Sequence, residues 1–353
     1  MPTIAADILQ NICKRLLEGA GVAEEEAVIV SRHSIGANLA GHDSHGIISI
    51  PTYIARMGDG HIVPGAPFDI EKESDTTTVV NGNWGLGYVV SERAMALTIE
   101  KAKKFNVAAT TIYQQSHVGR VADYPIMAAK AGMIGMMTCD SGRTKKNVVP
   151  FGGRETRLGT NPISIAMPSN LDGPFFIDIS TAAAAAGKIN VAVSRGDEIP
   201  NGWLMDKDGN MTNDPSQLKK GGALLPLGGT EGHKGYGLSA MVEIFSALLP
   251  GLGFGVNPDG PHNDGSFMAV FKVEAFRDLE TFKREVTEFA EYLTATPPAK
   301  GFERVYYPGE LEHLRTQKGR KEGIFVEDNT WVKLKALADT YSLSDELKMD
   351  AVG

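Results

Sequence analysis

The fold question turns on Thr76-Thr77-Thr78-Val79-Val80-Asn81-Gly82-Asn83-Trp84-Gly85-Leu86-Gly87. Its first half is a β-branched run of strand character, and Asn81-Gly82 is a turn signal that ends it. Its second half is rich in glycine and opens a long helical pattern from Val89 to Lys104. Strand, glycines and helix in that order form the setting of a dinucleotide fingerprint. The glycine order is nevertheless wrong for G-x-G-x-x-G, and no acidic residue ends a second strand at the usual distance. The segment therefore reads as a tight strand-to-helix turn.

Further along, Val107 to Tyr113, Ile134 to Thr138, Ile163 to Met167, Phe175 to Ile179 and Phe267 to Val273 are short apolar runs. Bounded by Gly, Pro or Asp, they predict buried strands. Helical patterns fall between them at Asp123 to Lys130, Thr181 to Val193 and Gly235 to Leu249, with a long amphipathic one at Glu274 to Thr294. The alternation predicts an α/β region over residues 69–300. Residues 1–68 read as helices, at 3–18, Ala23 to Leu39 and Tyr53 to Met57. These are too few to bury their own apolar faces. The tail, 301–353, with helices near Glu310 to Arg320 and Trp331 to Tyr341, is expected to pack on them.

The 353 residues are 42% hydrophobic and carry 35 basic and 43 acidic side chains, a formal net charge of −8. That balance argues against nucleic acid as the main partner, since phosphate backbones are bound through basic surfaces. Two cysteines, Cys13 and Cys139, supply neither a disulfide framework nor a Cys-rich zinc site, and both read as small core residues. No secretory pattern opens the chain and no stretch is apolar enough to span a bilayer, so a cytoplasmic protein without a membrane partner is expected.

Two histidines lie in small, glycine-flanked surroundings: His45 within Gly41-His42-Asp43-Ser44-His45-Gly46, and His117 within Ser116-His117-Val118-Gly119-Arg120. Imidazole exchanges protons near neutral pH, and glycine lets backbone approach a ligand closely. Gly119-Arg120-Val121 and His233-Lys234-Gly235 open helical patterns, and helix starts of this kind can cradle a phosphate. Each taken alone is an ordinary glycine-rich helix start. Gly228 to Lys234 is not a P-loop, because Gly235 stands where Ser or Thr would follow the lysine. Asp178 ends an apolar run, where it could accept from a cofactor hydroxyl or cap the Ala-rich helix after it. His42 reads as a structural hydrogen-bonding partner, and His33, His61 and His313 receive no role. No H-E-x-x-H or facial-triad spacing supports a metal site.

Together the motifs resemble the malate/L-lactate dehydrogenase family, which is unrelated to the Rossmann-type lactate and malate dehydrogenases. The resemblance rests on the two histidine motifs, Val149-Pro150-Phe151-Gly152-Gly153, Leu158-Gly159-Thr160-Asn161-Pro162, Asp178-Ile179-Ser180-Thr181, Lys234-Gly235-Tyr236-Gly237-Leu238 and Tyr307-Pro308-Gly309-Glu310. They occur in the family's order and span nearly the whole chain. Within the family the run Ala37 to Ile47, with His233 before Lys234, most resembles the hydroxycarboxylate dehydrogenase B branch.

The resemblance implies a non-Rossmann, three-layer mixed-sheet cofactor domain and a helical domain built from both chain ends. It implies a homodimer with its pocket near the interface, and NAD or NADP as cofactor. His117 matches the proton-exchanging histidine, and Ser44 and His45 match residues at the nicotinamide and substrate end. Cofactor-contacting segments match Gly119, Arg120 and Val121; Phe176, Ile177, Asp178, Ile179 and Ser180; His233 and Lys234; and Gly309, Glu310, Leu311 and Glu312. The expected reaction is reversible reduction of a 2-oxo acid to a 2-hydroxy acid. A cyclic imino acid or ureidoglycolate-type substrate, or a catalytically silent ligand-binding member, are the alternatives. One position departs from the pattern: many members carry Arg three residues after the Ser-His-Gly glycine, where Ser49 stands here. Malate, lactate and sulfolactate are thereby disfavoured, leaving Ser49, Tyr53, Arg120 and Arg143 as candidate substrate contacts. A basic loop such as 143–146 is otherwise ordinary solvated surface.

Overall fold

The computed structural model describes residues 2–140, 142–257 and 263–349. A short strand β1 (Thr3–Ile4) leads into helices α1 (Ala6–Gly19), α2 (Glu24–Leu39) and α3 (Ile50–Gly58). At the other end stand α9 (Glu310–Glu322), strand β12 (Ile324–Phe325) and α10 (Asp328–Thr340). β1 pairs antiparallel with β12, and Leu9, Ile12, Leu16 and Leu17 of α1 share one core with Trp331, Leu334 and Ala338 of α10. Apolar stripes too narrow to form a core alone are buried against each other, as expected from the hydrophobic effect.

Between the ends lies a seven-stranded mixed sheet. Its strands are β2 (Asp69–Glu73), β3 (Thr77–Gly85), β4 (Val107–Gln115), β5 (Met133–Asp140), β6 (Ile163–Met167), β7 (Phe175–Ile179) and β11 (Gly265–Lys272), in the order β2-β3-β4-β11-β5-β6-β7. Only β3 and β4 pair in parallel; the other neighbours run antiparallel. Helices α4 (Gly87–Phe105) and α5 (Asp123–Lys130) cover one face. On the other face lies α7 (Gly232–Glu243), continued as a π-helical turn over Ile244–Leu248. Gly135 faces α5, where a Cβ would sit 2.7 Å from the Pro125 carbonyl, whereas Thr138 hydrogen-bonds Ser246 of the π turn at 2.7 Å. An odd spacing along a strand puts two side chains on opposite faces, so the sheet is the middle of three layers. The expected α/β, non-Rossmann class is what the chain adopts.

Four boundaries differ from expectation. β3 does not turn at Asn81-Gly82 but continues to Gly85 through a bulge, with left-handed backbone at Asn83 and Trp84 (φ 48° and 63°). The bulge absorbs the extra residues while parallel pairing with β4 is kept. The helix expected from Thr181 is α6 (Ala186–Arg195), because Ala183 N donates to the Leu225 carbonyl at 2.8 Å and Ala182 bridges Pro226, which keeps this run out of a helix. α8 (Leu279–Thr294) begins only where the Asp278 carboxylate accepts from Thr281 N. A three-stranded sheet of two-residue strands, β8 (Leu204–Met205), β9 (Met211–Thr212) and β10 (Ala223–Leu224), is too short to carry a sequence pattern.

Candidate active site

The C-terminal ends of β4 and β5 and the start of β11 meet at one end of the sheet, with Gly265 opposite Asp140 and Ser266 opposite Ile112. His117 leaves β4 there. Val118 N donates to Asp264 Oδ2 at 3.0 Å, and Gly87 N donates to Ser116 Oγ at 2.9 Å. Gly119 is left-handed (φ 71°), and a Cβ on it would lie 2.0 Å from the Tyr88 ring, so no other residue fits.

The Ser44–His45 segment is brought to this end by the short 3-10 turn Asp43–His45 after α2. Asn38 shapes it from within α2: its Oδ1 accepts from Ile47 N at 2.8 Å, and its Nδ2 donates to Asp43 Oδ1 at 2.7 Å. His45 stacks on His117 with ring centroids 5.4 Å apart and planes at 16°. Ser44 Oγ lies 3.0 Å from His45 Nδ1. The Tyr53 hydroxyl, from α3, sits 2.5 Å from His117 Nδ1 and 3.4 Å from the Tyr88 hydroxyl, which donates to the His45 carbonyl at 2.9 Å. Burial pushes the Tyr53 phenol up to about 12, and lowers the His45 imidazole. Ser49 Oγ donates to the Ser44 carbonyl at 3.0 Å, bracing the turn.

A second group lies beside the first. The buried Arg120 stacks over the Phe176 ring at 5.2 Å and donates to Asp123 at 3.0 Å, with Val121 also buried. Asp178 accepts from Ala122 N at 3.0 Å, so its carboxylate serves the start of α5 instead of the Ala-rich segment that follows it. Burial raises Asp178 to about 6, with Arg120 opposing and Glu312 adding to the rise. α9 brings Glu312 to within 4.0 Å of His42 Nε2. Burial and nearby Arg120 hold His42 down at about 4. Gly309 (φ 94°) packs where a Cβ would meet the Pro174 carbonyl at 2.5 Å, and Phe176 N donates to the Pro308 carbonyl at 3.1 Å. Glu310 is engaged within its own segment, accepting from Tyr307 N at 3.1 Å and pairing with Arg304. Ser180 Oγ donates to the Thr160 carbonyl at 3.1 Å, Ile179 is half-buried, and Ile177 and Leu311 are exposed.

His233 and Lys234, in the first turn of α7, are exposed. Lys234 pairs with Glu231 at 3.1 Å, and His233 meets the Phe151 ring edge-on. Arg143 is exposed, as a basic loop should be; Lys146 departs from that reading. It is buried between Asp140 (3.0 Å) and Glu243 (3.1 Å). Tyr88, Asp264, Asn38 and the His33–Asp123 contact escaped the sequence reading. Asn38 lay inside the motif region, but its partners follow only from the fold of the turn. Among the described residues no group of His, Cys, Asp or Glu suits a metal, and no helix is long and apolar enough to cross a membrane.

The mixed-sheet α/β scaffold thus brings paired imidazoles and a buried arginine to one end of its sheet. The malate/L-lactate dehydrogenase family model matches residues 4–335. The malate/(S)-sulfolactate dehydrogenase of Methanothermus fervidus is 37% identical over 95% of this chain and 96% of its own. The ureidoglycolate dehydrogenase (NAD(+)) of Escherichia coli K12 is 32% identical over 98% of each. The solved sulfolactate dehydrogenase of Methanocaldococcus jannaschii superposes with a TM-score of 0.89 at 35% identity, covering 97% of this chain and 98% of that one. The chain belongs to the malate/L-lactate dehydrogenase family. It is an oxidoreductase acting on the CH–OH group of a hydroxy acid, and such dehydrogenases imply a nicotinamide cofactor.

Proposed function

We propose that the chain reversibly interconverts a 2-oxo acid and a 2-hydroxy acid, with His117 exchanging the substrate proton. The observation that carries this is a hydrogen-bond chain that engages one nitrogen of His117. Tyr88 donates to the His45 carbonyl (2.9 Å), the Tyr53 hydroxyl lies 3.4 Å from Tyr88, and the same hydroxyl holds His117 Nδ1 at 2.5 Å. Nε2 is then the nitrogen that gives a proton to the forming alkoxide or takes one from the alcohol. Ser44 and His45 stand where a donor can stabilise charge on the substrate oxygen.

The residues beside His117 fit a phosphate-bearing cofactor. Arg120 Nε is buried without a hydrogen-bond partner, and a buried donor without an acceptor is costly unless a ligand satisfies it. A bound nicotinamide supplies or accepts the hydride. Arg120, Phe176, Asp178 and Glu312, with His233, Lys234 and Gly309 as further contacts, would hold the rest. Ser49 in place of a carboxylate-clamping arginine favours a bulkier, less strictly anchored 2-oxo acid over oxaloacetate.

For assembly we infer a homodimer. Met241, Ile244, Phe245, Leu248 and Leu249 expose an apolar stripe along α7 and its π turn, the kind of face that a second copy covers. A Leu248→Asp variant should then sediment as monomer where the parent is a dimer. Both cysteines are free and buried, which supports a reducing, cytoplasmic setting.

The deciding experiment titrates NADH and NADPH by fluorescence, then screens pyruvate, phenylpyruvate-like, oxaloacetate and cyclic imine substrates. Binding of NADH and turnover of a 2-oxo acid are expected. Loss of both sinks the reading in favour of a silent ligand-binding member, and preference for an imine moves the substrate class.

A further inference from the structure

His33, in the middle of α2, is buried between the Tyr88 ring (5.7 Å, stacked) and the Tyr124 ring (5.4 Å). Each of its ring nitrogens meets a carboxylate: Nδ1 lies 3.0 Å from Asp123 Oδ2, and Nε2 lies 2.5 Å from Glu92 Oε2. An ionised carboxylate is acceptor-only, and a neutral imidazole has one donor nitrogen. Both contacts are hydrogen bonds only if both nitrogens carry protons.

Resting on the nicotinamide reading above, we propose that His33 is a resident imidazolium that acts as a positioning residue, setting through Asp123 the charge that Arg120 offers to the cofactor phosphates. The contacts run in series from the surface to the site: Arg32 to Glu92 at 2.6 Å, Glu92 to His33, His33 to Asp123, and Asp123 to Arg120 at 3.0 Å. With His33 charged, Asp123 is shared between two cations and Arg120 keeps its remaining donors for an anion. With His33 neutral, Asp123 holds Arg120 alone, and one positive charge is lost beside the anion bed. The groups facing His33 are Arg32 from its own helix, Glu92 and Tyr88 from α4, and Asp123 and Tyr124 from α5, with Arg120 and His42 beyond Asp123. Burial works against the charged ring, but the two carboxylates outweigh it and its pKa is raised. Asp123 and Glu92 are lowered, in keeping with two ionised partners.

Two measurements test this. Ring-nitrogen chemical shifts of His33 in the cofactor-free protein at about pH 7, above the ordinary imidazole pKa of about 6.5, should show both nitrogens protonated. A neutral tautomer there, with the proton on a carboxyl instead, overturns the proposal, and this readout needs neither a variant nor a cofactor. NADH affinity is then followed against pH in the parent and in His33→Gln. At about pH 7 the variant should bind about fivefold more weakly. The parent should weaken toward the variant as pH rises through the His33 titration, while the variant stays flat. Parallel curves, offset equally at every pH, mark a merely structural role and overturn the coupling. If neither protein binds NADH at any pH, the nicotinamide reading fails and takes the coupling with it; the imidazolium is judged by its nitrogen shifts alone.

Discussion

Two histidines linked through the Tyr88 and Tyr53 rings are held in different ways. His117 meets a neutral phenol on Nδ1 and a second imidazole across its face, whereas His33 meets a carboxylate on each nitrogen. A phenol can orient a ring as donor or acceptor, whereas two carboxylates favour a ring protonated on both nitrogens. On the reading proposed above, the same side chain serves proton exchange in one place and a fixed charge in the other.

The largest effect expected of that contrast is at His117. Replacing it with Ala should lower kcat in both directions by about 10²- to 10⁴-fold, the range for a general acid–base group, with NADH affinity nearly unchanged. Full turnover by this variant, in steady-state assays, would erase the contrast at its root. Next comes Tyr53→Phe, which removes the hydroxyl partner of His117 Nδ1. A lost hydrogen bond to a charged group costs about 1.5–3 kcal/mol, so kcat should drop by about 10- to 100-fold, with the substrate KM little changed. A rise in KM alone would mean that Tyr53 contacts substrate instead of aligning the ring.

Ser49→Arg brings a cation to the turn that carries Ser44 and His45. A bidentate carboxylate contact there should lower the KM for oxaloacetate about tenfold relative to that for a monocarboxylate. An unchanged ratio of the two would show that position 49 does not reach the substrate. The smallest effect concerns stability. A histidine whose folded pKa is raised contributes stability that is complete below its unfolded pKa of about 6.5 and disappears as pH rises through the folded value. The melting-temperature gap between parent and His33→Gln should therefore be widest below about pH 6.5 and shrink toward alkaline pH. Each pH unit of elevation corresponds to about 1.4 kcal/mol, and a gap that widens with pH would reverse the sign of the argument.

The strands of the seven-stranded sheet from Val107 onward and the ends of most helices were legible because burial imposes periodicity, and Gly or Asp punctuates it. Errors fell where distant partners override local signals. Asn81-Gly82 looks like a turn, yet pairing with β4 carries the strand through it. Thr181 to Ala185 has helical composition, yet its bond to the Leu225 carbonyl keeps it out of a helix. At the site, His117, His45 and Arg120 announced themselves by glycine neighbours that permit close approach. Asp264, Tyr88 and Asn38 carried no such mark, since each acts by touching a residue far along the chain. His33 was passed over for the same reason.

The amino-acid order alone specified the class of chain, the alternation of strands and helices, and which imidazoles could face a ligand, because these depend on neighbours within a turn or two. Protonation, direction and charge were left to the packed molecule. Which nitrogen of His117 meets Tyr53, which histidine lies between two carboxylates, and where Arg120 points are set by groups from separate helices and strands. Their few-ångström distances exist only once the core has closed around them.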